Sequence, residues 1–171
     1  MCKHNDSNEL RFLCDLTVVK LGKKLRILGF DTEITRSIRV DEIGEIIRQT
    51  SRRLITKSRN LANTFGGILV TKNRVSEQVI ELFAILKSLN IEITRTAARC
   101  VNCNEVLEDC SKEEVIDKVP IYIFETVEKF KRCPKCGKVY WQGTHLAHLQ
   151  NLKQQTLRRK ETDMRGENND R

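Results

Sequence analysis

Four cysteines fall into two C-x-x-C pairs, Cys100 with Cys103 and Cys133 with Cys136. One such pair supplies two thiolates from a single tight turn, and two pairs complete the tetrahedral set that zinc prefers. The residue after each pair, Asn104 or Gly137, tolerates the left-handed backbone that lets amides point at sulfur, and Pro134 presets its turn. With all four positions taken by protein, water has no place on the ion, so the expected zinc is structural and folds a small module. Cys110, His145 and His148 are competing ligands by position, and iron–sulfur ligation would use the same thiolates. If the quartet holds the ion, the two histidines are packing or surface residues. A thioredoxin-like redox role needs a pair between the strand and helix of a βαβ unit, which neither pair occupies. Of the seven cysteines, Cys2, Cys14 and Cys110 remain as small buried hydrophobes or spare thiols.

A second group with chemical potential is acidic. Asp15 closes the apolar run RFLCDL, where a carboxylate must be hydrogen-bonded, metal-bound or solvated. Capping the helix that follows accounts for it equally well. Asp41 and Glu42 open a later helical stretch, and capping alone explains Asp41. Carboxylates gathered at the strand ends of a parallel sheet are how metal-dependent nucleases hold Mg²⁺ or Mn²⁺ and activate water against a phosphodiester.

The elements that must position these residues can be read from periodicity. RFLCDL reads as a buried strand, followed by Val18, Leu21, Leu25 and Leu28 at helical spacing up to Gly29. DTEIT is the next strand, and a helix starting at Asp41 buries Ile43, Ile46 and Ile47. RLITK, a short helix at 60–65, ILVTK, an amphipathic helix from Val75 to Leu89, and IEITR complete the series. Strands separated by helices predict a mostly parallel α/β sheet flanked by helices, with a ligand site beyond the carboxyl ends of the strands. That edge carries Asp15, Asp41, Glu42, Ser58, Lys72, Asn73 and Arg74. After residue 95 the pattern changes to the cysteine pairs, with IYIF and VYW as short strands. Leu146, Leu149, Leu152 and Leu157 then mark a C-terminal basic helix. The predicted organisation is a tail at 1–10, an α/β domain at 11–95, a zinc ribbon at 96–145, a helix at 146–160 and a polar disordered tail at 161–171.

The chain has 171 residues, 39% of them apolar, enough for one α/β domain and a small appendage. Its formal charge of +8 favours a polyanionic partner, nucleic acid before membrane. No apolar run approaches the roughly 18 residues of a membrane span, and the expectation is a cytoplasmic protein. Candidate phosphate contacts are Lys20, Lys23, Lys24 and Arg26 on one helix and Lys72 and Arg74 after the fourth strand. Each such run is also the ordinary solvated face of a helix. Trp141 is the candidate base-stacking aromatic, provided its neighbour Tyr140 faces inward.

RFLCDL, KLGKKLRILGFDTEI, LITKSRNLA, RCVNCN, KVPIYIFET and above all FKRCPKCGKVYWQGTH resemble the Mut-seven C-terminal RNase domain family, which joins a PIN-like fold to a C-terminal zinc ribbon. The resemblance implies a PIN-type ribonuclease site using a divalent ion, Mg²⁺ or Mn²⁺, with Asp15 on its first aspartate and Asp41 on its acidic helix start; Asp15, Asp41 and Glu42 are the carboxylates that could hold one ion. The family's threonine-arginine-aspartate after the third strand reads here Thr56, Lys57, Ser58, so one metal-binding carboxylate is missing. The turn after the first aspartate is altered to Thr17, Val18, Val19. Two functions follow: a divalent-metal-dependent endoribonuclease, or a non-catalytic RNA or ribonucleoprotein binder with a degenerate site.

Overall fold

The computed structural model describes residues 10–91 and 97–141. The expected strand IEITR beyond its first residue, the C-terminal helix, both tails up to residue 9 and from 161, and Cys2, His145 and His148 lie outside the described residues.

Strands β1 (Arg11–Cys14), β2 (Asp31–Ile34), β3 (Arg53–Thr56) and β4 (Ile68–Leu69) form one parallel sheet in the order β2-β1-β3-β4. Helix α1 (Val19–Ile27) links β1 to β2, α2 (Val40–Thr50) links β2 to β3, α3 (Arg59–Phe65) links β3 to β4, and α4 (Val75–Ser88) follows β4. Side chains alternate across a strand, so the two central strands feed two cores. Phe12, Cys14 and Ile55 join Leu21 and Leu25 of α1 and Leu82, Phe83 and Leu86 of α4. Leu13 and Leu54 join Ile43, with Ile46, Ile47, Leu61 and Phe65 from α2 and α3. Buried on both faces, β1 and β3 are continuous apolar runs, as a doubly covered parallel sheet requires.

Gly22 lets α1 lie close on this sheet: a Cβ there would sit 2.9 Å from Ile34 Cγ1 and 3.1 Å from Cys14 Cβ. The helix stops at Gly29, whose φ of 97° few side chains tolerate. Because β1 leads to β2 on one side while β3 lies on the other, the strand order reverses between β1 and β3. In open parallel α/β sheets the ligand crevice lies at such a reversal, beyond the carboxyl ends of the two strands.

Helix α2 begins one residue before the expected Asp41, with Arg39 as its backbone cap. Asp41 is no cap: its carboxylate sits in the first turn, pairs with Arg39 and complements the helix dipole.

Strands β5 (Glu108–Cys110), β6 (Phe130–Arg132) and β7 (Val139–Trp141) form a separate antiparallel sheet in that order. The segment IYIF, expected as a strand, is instead the start of helix α5 (Ile121–Thr126). The carbonyl of Pro120 accepts the amides of Ile123 and Phe124 and starts the turn. The short run of β-branched and aromatic residues is ambiguous between strand and helix: Ile121 and Tyr122 are neighbours yet both exposed, at 69% and 62%. Among the described residues no helix is long and apolar enough to cross a membrane.

Candidate metal centre and sheet edge

The two cysteine knuckles are built alike. In the first, the amide of Cys100 donates to Glu105 O at 2.8 Å, and that of Asn104 returns to Cys100 O at 2.9 Å. In the second, Cys133 donates to Lys138 O at 3.0 Å, and Gly137 returns to Cys133 O at 2.9 Å. Asn104 and Gly137 hold the matching left-handed position, at φ 65° and 71°. The strand pair β6–β7 carries the second knuckle at its end, and the bridge between Arg99 and Val106 closes the first.

The four sulfurs of Cys100, Cys103, Cys133 and Cys136 lie within 4.8 Å of one another, with Cys100 and Cys136 at 3.6 Å. A tetrahedral zinc with bonds of about 2.3 Å separates its sulfurs by about 3.8 Å, so these four cysteines are placed to bind one metal ion. Cys110, on β5, stands outside the quartet; burial, and the charge of Glu114, raise its thiol pKa. Cys14 is buried in the α/β core, and desolvation raises its pKa too.

Hydrogen bonds tune the quartet. Burial disfavours the Cys100 thiolate, but the Tyr140 hydroxyl at 3.1 Å and the amides of Cys103 and Asn102 outweigh it and bring the pKa to about 6. Cys103 moves the other way, to about 12, chiefly through its hydrogen bond with Cys136, then desolvation and the neighbouring Cys100. Binding of a dication displaces the proton that such a thiol keeps. Tyr140 also accepts the Val101 amide at 3.1 Å and so faces the metal site. Trp141 therefore lies on the opposite face of β7, half-buried across from Phe130.

At the sheet edge Asp15 is 4% exposed. Its Oδ1 accepts the Thr17 amide at 3.0 Å and the Thr17 hydroxyl, and its Oδ2 accepts the Thr56 hydroxyl at 2.6 Å. Both oxygens are thus engaged, one as the cap of the turn Leu16–Val18 and the other across the crevice to the end of β3. Ser58 donates its amide to Thr56 Oγ1 at 2.9 Å and caps α3 through Leu61 N at 3.3 Å. Asp41 and Glu42 sit on the exposed start of α2, where Arg39 lies 2.6 Å from Asp41 and 3.4 Å from Glu42, and Ser37 donates to Glu42. Among the described residues the cysteine quartet is the one group of three or more acidic, cysteine or histidine side chains placed to share an ion. Asp15, Asp41 and Glu42 are not brought together into a second, and Glu77 is exposed on α4.

The basic candidates divide. Lys20, Lys23, Lys72 and Arg74 are exposed, and Lys24 is half-buried. Arg26, expected among the phosphate contacts, is 7% exposed and hydrogen-bonded to three carbonyls, so its guanidinium is not available on the surface.

Three positioning residues were missed by periodicity, which reports burial and not polar partners. Glu81 on α4 accepts the Thr71 amide and hydroxyl and the Lys72 amide, holding the loop that presents Lys72. Its pKa is drawn below the ordinary value by these bonds against the opposing effect of burial. Lys57 bridges the β3 and β4 loops through Asn73 Oδ1 at 2.7 Å. Asn104, read only as a turn former, bonds the edge strand β2 through Thr32 N and Asp31; an asparagine where the partner knuckle uses glycine was the available signal.

Neither the curated proteins nor the solved structures contain a match to this chain. The family model of the Mut7-C RNase domain matches residues 10–153, spanning the parallel sheet and both cysteine knuckles. The chain belongs to the Mut7-C RNase domain family.

Proposed function

We propose that this chain is an RNA- or ribonucleoprotein-binding member of its family, in which the nuclease edge has become a structural joint and the cysteine quartet holds zinc. The observation that carries this reading is the clamp on Asp15, whose two oxygens are taken by Thr17 and Thr56. Ser58 reinforces it. Where the family pattern has a carboxylate, this side chain is a helix cap whose own amide braces Thr56. Two-metal chemistry needs several carboxylates facing one point, and here they face threonine and arginine. Meanwhile Lys72 and Arg74 put exposed positive charge at the same edge, with Lys20, Lys23 and Lys24 along α1 and Trp141 on the ribbon. Phosphate contact by such groups gives affinity without cleavage.

The second reading, an endoribonuclease in which Asp15, Asp41 and Glu42 hold Mg²⁺ or Mn²⁺, is favoured by the position of Asp15 at the crevice where the strand order reverses. Incubation with RNA and Mn²⁺, comparing the protein with Asp15→Asn, decides between them. The expected result is RNA binding that weakens as salt rises, with no cleavage by either protein. Cleavage by the unaltered protein that Asp15→Asn abolishes would overturn the proposal.

A further inference from the structure

Among the described residues the first cysteine knuckle is gripped from the α/β unit by side-chain hydrogen bonds, and the second has no such bond. Arg26 of α1 donates Nη1 to Val101 O at 2.7 Å and to Asn102 O at 3.1 Å, while its Nε donates to Thr32 O at 2.8 Å. The Arg26 carbonyl accepts the Arg99 amide at 2.8 Å. Asn104 completes the seam: its Oδ1 accepts Thr32 N at 3.1 Å, and its Nδ2 donates to Asp31 Oδ1 at 2.6 Å. Asp31 is itself fixed by Arg52 at 2.8 Å. By contrast, Gly137 stands at the equivalent place in the second knuckle with no side chain to reach anything, and it is exposed.

The grip lies directly behind the metal ligands. Carbonyl and amide point in opposite directions across a trans peptide. A guanidinium that pulls the Val101 and Asn102 carbonyls to one side therefore turns the amides of Asn102 and Cys103 to the other, and Cys103 N lies 3.4 Å from Cys100 Sγ. Charge acts in the same direction. Four thiolates around a dication carry a net charge of about −2, and a buried guanidinium beside them offsets part of it.

We propose that the metal site and the α/β unit form one coupled system, in which Arg26 and Asn104 act as positioning residues that raise the ribbon's metal affinity and, reciprocally, bound metal locks α1 and β2. Reciprocity is required: whatever the folded α/β unit contributes to metal binding, the metal returns to the α/β unit.

The test uses the full chain loaded with Zn²⁺. Affinity is measured by competition with a chromophoric chelator, the ligand set by the Co²⁺-thiolate spectrum, and the α/β unit by amide hydrogen exchange. In the unaltered protein, chelation is expected to raise exchange at Thr32 and along the β1–β2 ladder. Arg26→Gln should weaken Zn²⁺ by roughly ten- to a hundredfold while keeping the tetrathiolate Co²⁺ spectrum. Asn104→Gly retains the left-handed backbone and keeps the test decisive if Arg26→Gln fails to fold. It should lose several-fold in affinity and expose the Thr32 amide. Unchanged Zn²⁺ affinity in the folded variants, or β1–β2 exchange indifferent to chelation, would overturn the coupling.

Discussion

The cysteine quartet and the sheet edge are both places where side chains from distant parts of the chain converge, yet they are assembled in opposite ways. In the quartet, each half is a six-residue turn that makes its own hydrogen bonds, and the sulfurs are left pointing at one another. The Cys103 pKa is held up to about 12, first by its hydrogen bond with Cys136 and then by desolvation and Cys100, so the thiol keeps its proton until an ion displaces it. At the sheet edge, the carboxylates have protein partners already: Asp15 has Thr17 and Thr56, while Asp41 and Glu42 have Arg39. Four sulfurs converging on one point offer a metal a complete ligand set, whereas carboxylates engaged by protein partners at separate places do not. On the proposed function, the same fold carries one centre built for an ion and one whose carboxylates are taken up by protein partners.

The most severe way to break this comparison is Cys133→Ser. Structural zinc supplies folding free energy on the order of 10 kcal/mol in small zinc modules, so the ribbon should fail to hold Zn²⁺ and lose exchange protection in β5 to β7. Cys110→Ser, one strand away but outside the quartet, should bind one Zn²⁺ as the unaltered chain does. Equal metal content in both variants would dissolve the distinction between ligand and bystander.

Asp15→Ala probes the other side with a smaller effect. Removing the carboxylate strands the buried Thr56 hydroxyl and uncaps the turn Leu16–Val18, a loss of about 1–3 kcal/mol in urea unfolding. A stabilised Asp15→Ala would indicate the opposite: a carboxylate held under electrostatic strain for chemistry.

Glu81 gives a weaker, pH-dependent effect. Its folded pKa is depressed below the ordinary 4.5, so its contribution is present above that value and is lost as pH falls through the lower folded value. The amide resonances of Thr71 and Lys72 should titrate with a midpoint below 4.5, and Glu81→Gln should remove the titration. A midpoint above 4.5 would mean that the loop presenting Lys72 is not held by this carboxylate.

The two centres also differed in how far they could be read from sequence. Each cysteine pair is local, and its turn chemistry depends on the next residue, so the quartet and its left-handed positions were legible in full. The parallel sheet was legible because β1 and β3 are apolar on both faces, and Gly29 and Gly66 mark helix ends. The identity of α5 was not: I-Y-I-F is a short apolar run of strand-forming residue types, and the helix shows only in backbone bonds such as those to the Pro120 carbonyl. Arg26 was illegible for a related reason. On the α1 surface it reads as one more cation beside Lys23 and Lys24, but its partners Val101 and Asn102 are carbonyls about 75 residues away. Asp15 was legible as a residue needing a partner, and Thr56 could not be named until β1 and β3 were known to be neighbours.

Ser58→Asp is the change with the smallest expected effect on stability, and it sharpens the comparison most. Aspartate caps a helix as well as serine does and favours the positive end of its dipole, so α3 should keep its start and stability should move by less than about 0.5 kcal/mol. Position 58 is linked to Asp15 through Thr56, since the Ser58 amide donates to Thr56 Oγ1 and that hydroxyl donates to Asp15. Because that link runs through the backbone amide, the substitution adds a carboxylate at the start of α3 and leaves the clamp intact. If the missing charge is what keeps the edge free of metal, Ser58→Asp should gain a Mn²⁺-dependent rise in melting temperature that the unaltered protein lacks. We expect that gain, because a second carboxylate near Asp15 supplies a further oxygen ligand of the kind a divalent ion takes. No gain would place the barrier in the threonine clamp itself, and Thr56→Val combined with Ser58→Asp would then be the variant that binds the ion.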